Sequence, residues 1–221
     1  MRRRHISAAG LAVALGLLAA MASQSAAGVM LPDPSLDDTQ AASKGSGTLV
    51  LAGGCFWGIE AVYQHVRGVI DVVSGYAGGS ARTARYETVS TGTSGHAESV
   101  KITYDPSKVT LGRLLKVFFS VAHDPTSLNR QGPDVGPQYR SAVFYSGERQ
   151  QQLVKSYIDQ LNAANVFRSK IVTQVAPLNG FYAAEDEHQD FARKNPFHPY
   201  ILINDKPKVD DLKREFPSLY K

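Results

Sequence analysis

Cys55 is the one cysteine in 221 residues, and its neighbours are those of a reactive thiol. It follows an apolar run, Thr48 to Ala52, and then the pair Gly53-Gly54. That order reads as a buried strand, a sharp turn and the first residue of a helix reaching to about Val66. Unpaired backbone N–H groups at a helix start favour a thiolate, and two glycines permit a turn that leaves the sulfur uncovered. A cysteine kept only as a small apolar filler needs none of this. Phe56 and Trp57 come next, and rings beside a thiol can wall an apolar pocket for a methyl or thioether group.

Glu98 is the second candidate. Positions 98, 100, 102 and 104 are Glu, Val, Ile and Tyr, while 99, 101 and 103 are Ser, Lys and Thr. Alternation along a strand puts Glu98 on the inward face with Val100 and Ile102. A carboxyl on an apolar face keeps its proton to higher pH and becomes a candidate proton donor. The bland reading, a strand that starts at Ser99 with Glu98 at a solvated edge, stays open at this point. His96 lies two residues earlier. A Cys–His pair would suit a thiol hydrolase, but no motif supports one, and His96 reads as structural. No His, Cys and carboxylate cluster has metal-ligand spacing, so neither a metal nor another cofactor is expected.

The elements that must position these residues alternate. Strands are expected at Val69 to Ser74, Ser99 to Tyr104, Ser141 to Tyr145 and Lys170 to Val175. Leu111, Leu114, Leu115 and Phe118 fall on one helical face, as do Leu153, Tyr157 and Leu161 in a helix over 148–163. Ala184 to Lys194 reads as a short helix. Interleaved strands and helices predict an α/β or α+β layered fold in a single domain over 48–221.

The ends of the chain set the context. Arg2 to His5 is basic, Ala8 to Ala20 is apolar, and small residues follow around Ala27, the pattern of a cleaved signal peptide over 1–27. Arg3-Arg4 leaves a twin-arginine route open. The run is too short and too broken by glycine to span a bilayer, so no stable membrane association is expected after cleavage. Cleavage would remove three of 24 basic residues and leave 21 against 20 acidic ones, which takes away the electrostatic basis for nucleic-acid binding. Residues 28–47 lack an apolar period and read as a flexible leader. The expected location is periplasmic or secreted, where one unpaired thiol is exposed to oxidation.

Several ordered blocks carry a resemblance. Gly54-Cys55-Phe56-Trp57-Gly58 resembles the signature of the A-type peptide methionine sulfoxide reductases. Gly75 to Gly79, Gly95 to Val100, Gly136 to Ser141, Ala184-Glu185 with His188-Gln189, and Lys194-Asn195-Pro196 resemble further family blocks, together covering about 48–216. The resemblance implies a compact α/β roll around a mixed sheet. It implies that Cys55 is the nucleophile, that Phe56 and Trp57 hold the substrate methyl group, and that Glu98 protonates the sulfoxide oxygen. Tyr86 and Tyr139 would hydrogen-bond that oxygen, and Asp134 would bind substrate. The substrate implied is the S epimer of methionine sulfoxide, free or in proteins. Two departures stand out. The chain has Gln131-Gly132-Pro133-Asp134 where members often read Gln-Gly-Asn-Asp, and its tail lacks the resolving cysteines that many members carry. It is similar to the single-cysteine form, which must be regenerated by an external thiol, a thioredoxin-like protein or glutathione.

Overall fold

The computed structural model describes residues 31–38 and 45–221. The segment expected as a signal peptide, 1–27, lies outside the described residues. In chain order the elements are β1 (Gly47–Ala52), α1 (Phe56–Gln64), β2 (Val69–Ala77), α2 (Tyr86–Val89), β3 (Ala97–Tyr104) and α3 (Leu111–Val117). They continue with β4 (Arg130–Gln131), β5 (Asp134–Val135), β6 (Ala142–Tyr145) and α4 (Glu148–Ala163), then β7 (Gln174–Pro177), β8 (Phe181–Ala183), α5 (Phe191–Lys194) and α6 (Lys206–Glu215).

Six strands form one mixed sheet in the order β7-β6-β1-β3-β2-β8. Only the β6–β7 pair is parallel. The centre of the sheet is where the sequence is most apolar: Leu49, Leu51, Val100, Ile102 and Val143 are buried against α1, α3 and α4. Leu114, Leu115, Leu153, Tyr157 and Leu161, placed by helical spacing, all lie in that core.

Three expectations are corrected. The strand expected at Lys170 to Val175 forms at Gln174–Pro177 instead, because only from Gln174 onward does the chain lie beside β6, with Val143 opposite Val175. The helix expected over Ala184 to Lys194 shrinks to Phe191–Lys194. Tertiary bonds override its propensity: the Gln189 side chain accepts from the Ser74 N–H and donates to the Ser74 and Ala184 carbonyls, and Asp190 takes left-handed backbone at φ 57°. Phe181–Ala183 becomes an edge strand on β2 that periodicity does not announce.

The third correction concerns the leader expected over 28–47. Within it, residues 31–38 are docked on the domain. Leu31 is 2% exposed, the Tyr157 hydroxyl donates to the Pro32 carbonyl, and Lys116 pairs with Asp33. The Asp37 carboxylate accepts from the Thr110 hydroxyl and the Gly112 N–H, occupying an otherwise open amide in the first turn of α3. Burying one leucine gives roughly 1.5–3 kcal/mol, and the bonds of Pro32, Asp33 and Asp37 to α3 and α4 add to it in holding a segment that has no periodicity of its own.

Candidate active site

The site gathers at the end of β1. Gly54 takes φ +96°, a region that favours glycine, and turns the chain from β1 into α1. Gly53 is required for a different reason: a β-carbon there would lie 2.8 Å from the His123 ring. Burial holds that imidazole neutral, with its pKa down to about 3, and it packs against Phe118, so His123 is structural. Cys55 is then the N-cap residue of α1.

Glu98 lies inside β3, on the face it shares with Val100 and Ile102, and is 2% exposed. Its carboxylate accepts the Phe56 N–H at 3.1 Å, so the first helical residue after Cys55 is tied directly to the acid. Burial pushes the Glu98 pKa up to about 8, helped by the charge of Asp134 and opposed by the Phe56 bond and by the neighbouring Cys55 thiol. Below that pH the carboxyl carries a proton beside the thiol.

Cys55 itself departs from expectation. It is buried, at 8% exposure, rather than uncovered. Desolvation, with the charges of Glu98 and Asp205 behind it, pushes the thiol well above its usual range. A backbone hydrogen bond from Trp57 and the charge of Lys208 act the other way without prevailing. The helix start is present, as expected, but burial outweighs it. Burial therefore favours the thiol over the thiolate at neutral pH.

Tyr86, Tyr139 and Asp134 arrive from three separate segments. Tyr86 opens α2, and its N–H donates to Glu185, whose other oxygen accepts from the buried Tyr76 hydroxyl. Tyr139 ends a short turn, Pro137–Tyr139, held by Arg140. That guanidinium donates to the carbonyls of Gly95, His96 and Pro137, fastening the turn to the strand that carries Glu98. Burial raises both phenols above their usual range, and both sense the charges of Glu98 and Cys55. Asp134 sits in a tight hairpin, opposite Gln131, with Gly132-Pro133 at its tip. The Gln131 side chain bonds Asp124 through both ends of its amide and packs against Gly54, so the hairpin is pinned despite the proline.

The aromatic pair divides its work. Phe56 is fully buried against Tyr76 and His188. Trp57 is half-buried, stacked on Phe191 at 3.7 Å between ring centres, with Tyr200 edge-on at 5.9 Å. The structure therefore adds residues that the motif reading did not single out. The Tyr200 hydroxyl donates to Asp134, and Tyr200 senses the Cys55 charge. His188 lies against Phe56, Trp57 and Tyr86, and neither of its ring nitrogens has a partner among the described residues. His188 lies in the block over 184–189, which was visible but whose role needed the fold, and Tyr200 lies four residues beyond the block ending at Pro196. His96 does not join the site. Its Nδ1 accepts from the Gly79 N–H and its Nε2 bonds the Ser80 carbonyl, so both nitrogens serve the backbone.

A family model described as peptide methionine sulfoxide reductase matches residues 47–219. A protein of Mesorhizobium japonicum named peptide methionine sulfoxide reductase MsrA 2 is 58% identical over 179 residues, covering 81% of this chain and 92% of that one. A Synechocystis protein of the same name is 49% identical over 194 residues, covering 87% and 91%. Among solved structures, reduced Mxr1 from Saccharomyces cerevisiae superposes with a TM-score of 0.65 at 30% identity, covering 77% of this chain and 96% of that chain. Methionine sulfoxide reductase A of Corynebacterium diphtheriae gives 0.61 at 38% identity, covering 72% and 80%.

Proposed function

The chain belongs to the peptide methionine sulfoxide reductase family, and from that premise we propose that Cys55 and Glu98 carry out the reduction together. The enzyme reduces methionine sulfoxide to methionine. The observation that carries the assignment of roles is the buried bond from the Phe56 N–H, one residue after the single thiol, to the Glu98 carboxyl, which holds its proton to about pH 8.

The sulfoxide dipole places positive charge on sulfur and negative charge on oxygen. With that sulfur against Cys55, its positive charge favours the thiolate over the thiol. The thiol proton passes to solvent, the thiolate attacks the sulfoxide sulfur, Glu98 gives its proton to the oxygen, and that oxygen leaves the substrate sulfur to become the hydroxyl on the Cys55 sulfur. The substrate sulfur gains two electrons and Cys55 loses two, leaving methionine and a sulfenic acid. Tyr86 and Tyr139 donate hydrogen bonds to the oxygen as its charge grows. Trp57, with Phe56 behind it, receives the methyl group, and Asp134 orients the substrate through the hydroxyl it shares with Tyr200. The preferred substrate is the S epimer, since each sulfoxide epimer has its own reductase type and a site that fixes thiol, acid and methyl pocket as three separate points admits one hand of the sulfoxide.

An external thiol then condenses with the sulfenic acid, releasing water, and a second thiol frees Cys55 as a disulfide leaves. A thioredoxin-like protein or glutathione can fill this role. We place the protein outside the inner membrane, periplasmic or secreted, on the strength of the basic, apolar and small-residue order of 1–27.

The deciding assay supplies each methionine sulfoxide epimer with dithiothreitol. Wild type should release methionine from the S epimer and Cys55→Ser should release none while keeping its fold. More than a few per cent of wild-type activity in the serine variant would sink the role given to Cys55.

A further inference from the structure

The segment after Tyr200 brings two charges against the first turn of α1. Residues Ile201–Asp205 form one π-helical turn that runs into α6. Such turns are rare and frequently mark functional sites, and a second one, Phe118–Ala122, follows α3. Asp205 closes the turn before α6. It is 1% exposed, Lys208 Nζ donates to its Oδ1 at 3.2 Å, and its Oδ2 has no hydrogen-bond partner among the described residues. Gly58 makes the approach possible, since a β-carbon there would lie 2.2 Å from Asp205 Oδ1 and 2.7 Å from Lys208 Nζ. Residues three apart at a helix start are surface neighbours, about 5–6 Å between side-chain roots, so what fills the space over Gly58 also flanks Cys55.

As a stabilising device the pair is poorly made. One carboxylate oxygen is buried without a donor, which leaves its desolvation uncompensated, and two apolar side chains would fill the same space at less cost. We infer that the Asp205–Lys208 pair is a positioning device for Cys55, holding a carboxylate and an ammonium one helical turn from the sulfur and setting how readily the thiolate forms. This rests on the reading of Cys55 as the nucleophile. The two charges act in opposite senses, Asp205 against the thiolate and Lys208 for it. The other ionisable groups facing the thiol are Glu98 on β3 and the phenols of Tyr86, Tyr139 and Tyr200, while Asp134 faces Glu98 and Asp205. Below about pH 8 Glu98 is protonated, and the phenols stay neutral. The groups left to carry charge around the sulfur are then Asp134, Asp205 and Lys208; burial raises both carboxyls above the usual carboxylate range, and the Lys208 ammonium opposes that rise at each.

The test measures alkylation of Cys55 by iodoacetamide across pH, in full-length protein without substrate, with circular dichroism as the check on folding. Asp205→Asn should lower the midpoint and speed alkylation at pH 8 by about three- to tenfold, while Lys208→Met should raise the midpoint and slow alkylation by a similar factor. Lys208→Arg keeps the charge and should stay near the wild-type midpoint. A pair that only braces α6 against α1 would move both neutral variants in the same direction. That outcome, or two midpoints equal to wild type, overturns the proposal. Should Lys208→Met fail to fold, Asp205→Asn decides alone, because an unchanged or raised midpoint contradicts the inference. Alkylation reads the thiol and not turnover, so failure here leaves the reductase roles standing, and their failure in the epimer assay leaves this result intact.

Discussion

Glu98 is where one side chain controls two measurable properties. Its pKa stands at about 8 in the folded protein, against an ordinary value of 4.5. The unfolded chain therefore gives up its proton first, and the folded state pays for a buried carboxylate only once pH passes the folded value. Stability contributed by the protonated form is complete below about pH 4.5 and is lost as pH rises toward and through 8. Glu98→Gln keeps the shape and never ionises, so its melting temperature relative to wild type should rise between pH 5 and pH 9. The same substitution removes the proposed proton donor. A positioned acid contributes about 10²–10⁴-fold, and the rate should fall by that order at pH 7. Wild-type kcat/KM should decline above about pH 8 as Glu98 ionises, while the variant lacks that limb. A variant as fast as wild type at pH 7, or a melting difference flat across pH, would remove Glu98 from this role.

Arg140 works at the level of elements, through segments it joins rather than through the substrate. Its three bonds to the carbonyls of Gly95, His96 and Pro137 lock the turn ending in Tyr139 to the start of β3. Bonds from a charged donor contribute about 1.5–3 kcal/mol each in favourable cases, and one guanidinium reaches all three acceptors because its donors are fixed in a plane. Arg140→Leu is expected to lower stability by a few kcal/mol and kcat/KM by at least about tenfold. Lys at this position should recover little of either, since one ammonium on a flexible stem cannot span the three carbonyls. Thermal melting and steady-state kinetics on both variants check this. A lysine variant equal to wild type in both would show that Tyr139 is held by other means. Glu185 plays the matching part for Tyr86, and together the two side chains bring separate loops to the edge of one buried strand pair.

For the whole molecule, the decisive fact is a single thiol. A chain with one cysteine forms a sulfenic acid but cannot close an internal disulfide. Without reductant each molecule should therefore release about one methionine and stop, and dimedone should then label Cys55. Glutathione should restart turnover through a mixed disulfide. Methionine released per enzyme decides the matter: a burst clearly above one, or no adduct at Cys55, contradicts the single-cysteine cycle. The docked segment 31–38 belongs to this scale too. It reaches α3 and α4 through Leu31, Asp37 and Tyr157, so the folded unit begins before the first strand.

The sequence by itself determined the elements with a clear period and the residues inside short motifs. The period-two pattern around Val100 put Glu98 on the buried face, the spacing of Leu153, Tyr157 and Leu161 marked α4, and the glycines before Cys55 marked the turn. These are local properties, set by how successive side chains point from one backbone. What only the tertiary structure decided depends on groups distant in the chain. Burial of Cys55 comes from residues tens to more than a hundred positions away, so the helix start alone predicted the wrong direction for its pKa. Gln189 unmade an expected helix through its bonds to Ser74, and Leu31 ordered part of an expected leader by finding the core. Tyr200 meets Trp57, and the Asp205–Lys208 pair meets Gly58, only because the C-terminal segment folds back over α1. Neither pattern nor propensity carries that information, because desolvation and long-range hydrogen bonds arise only when the separate elements pack.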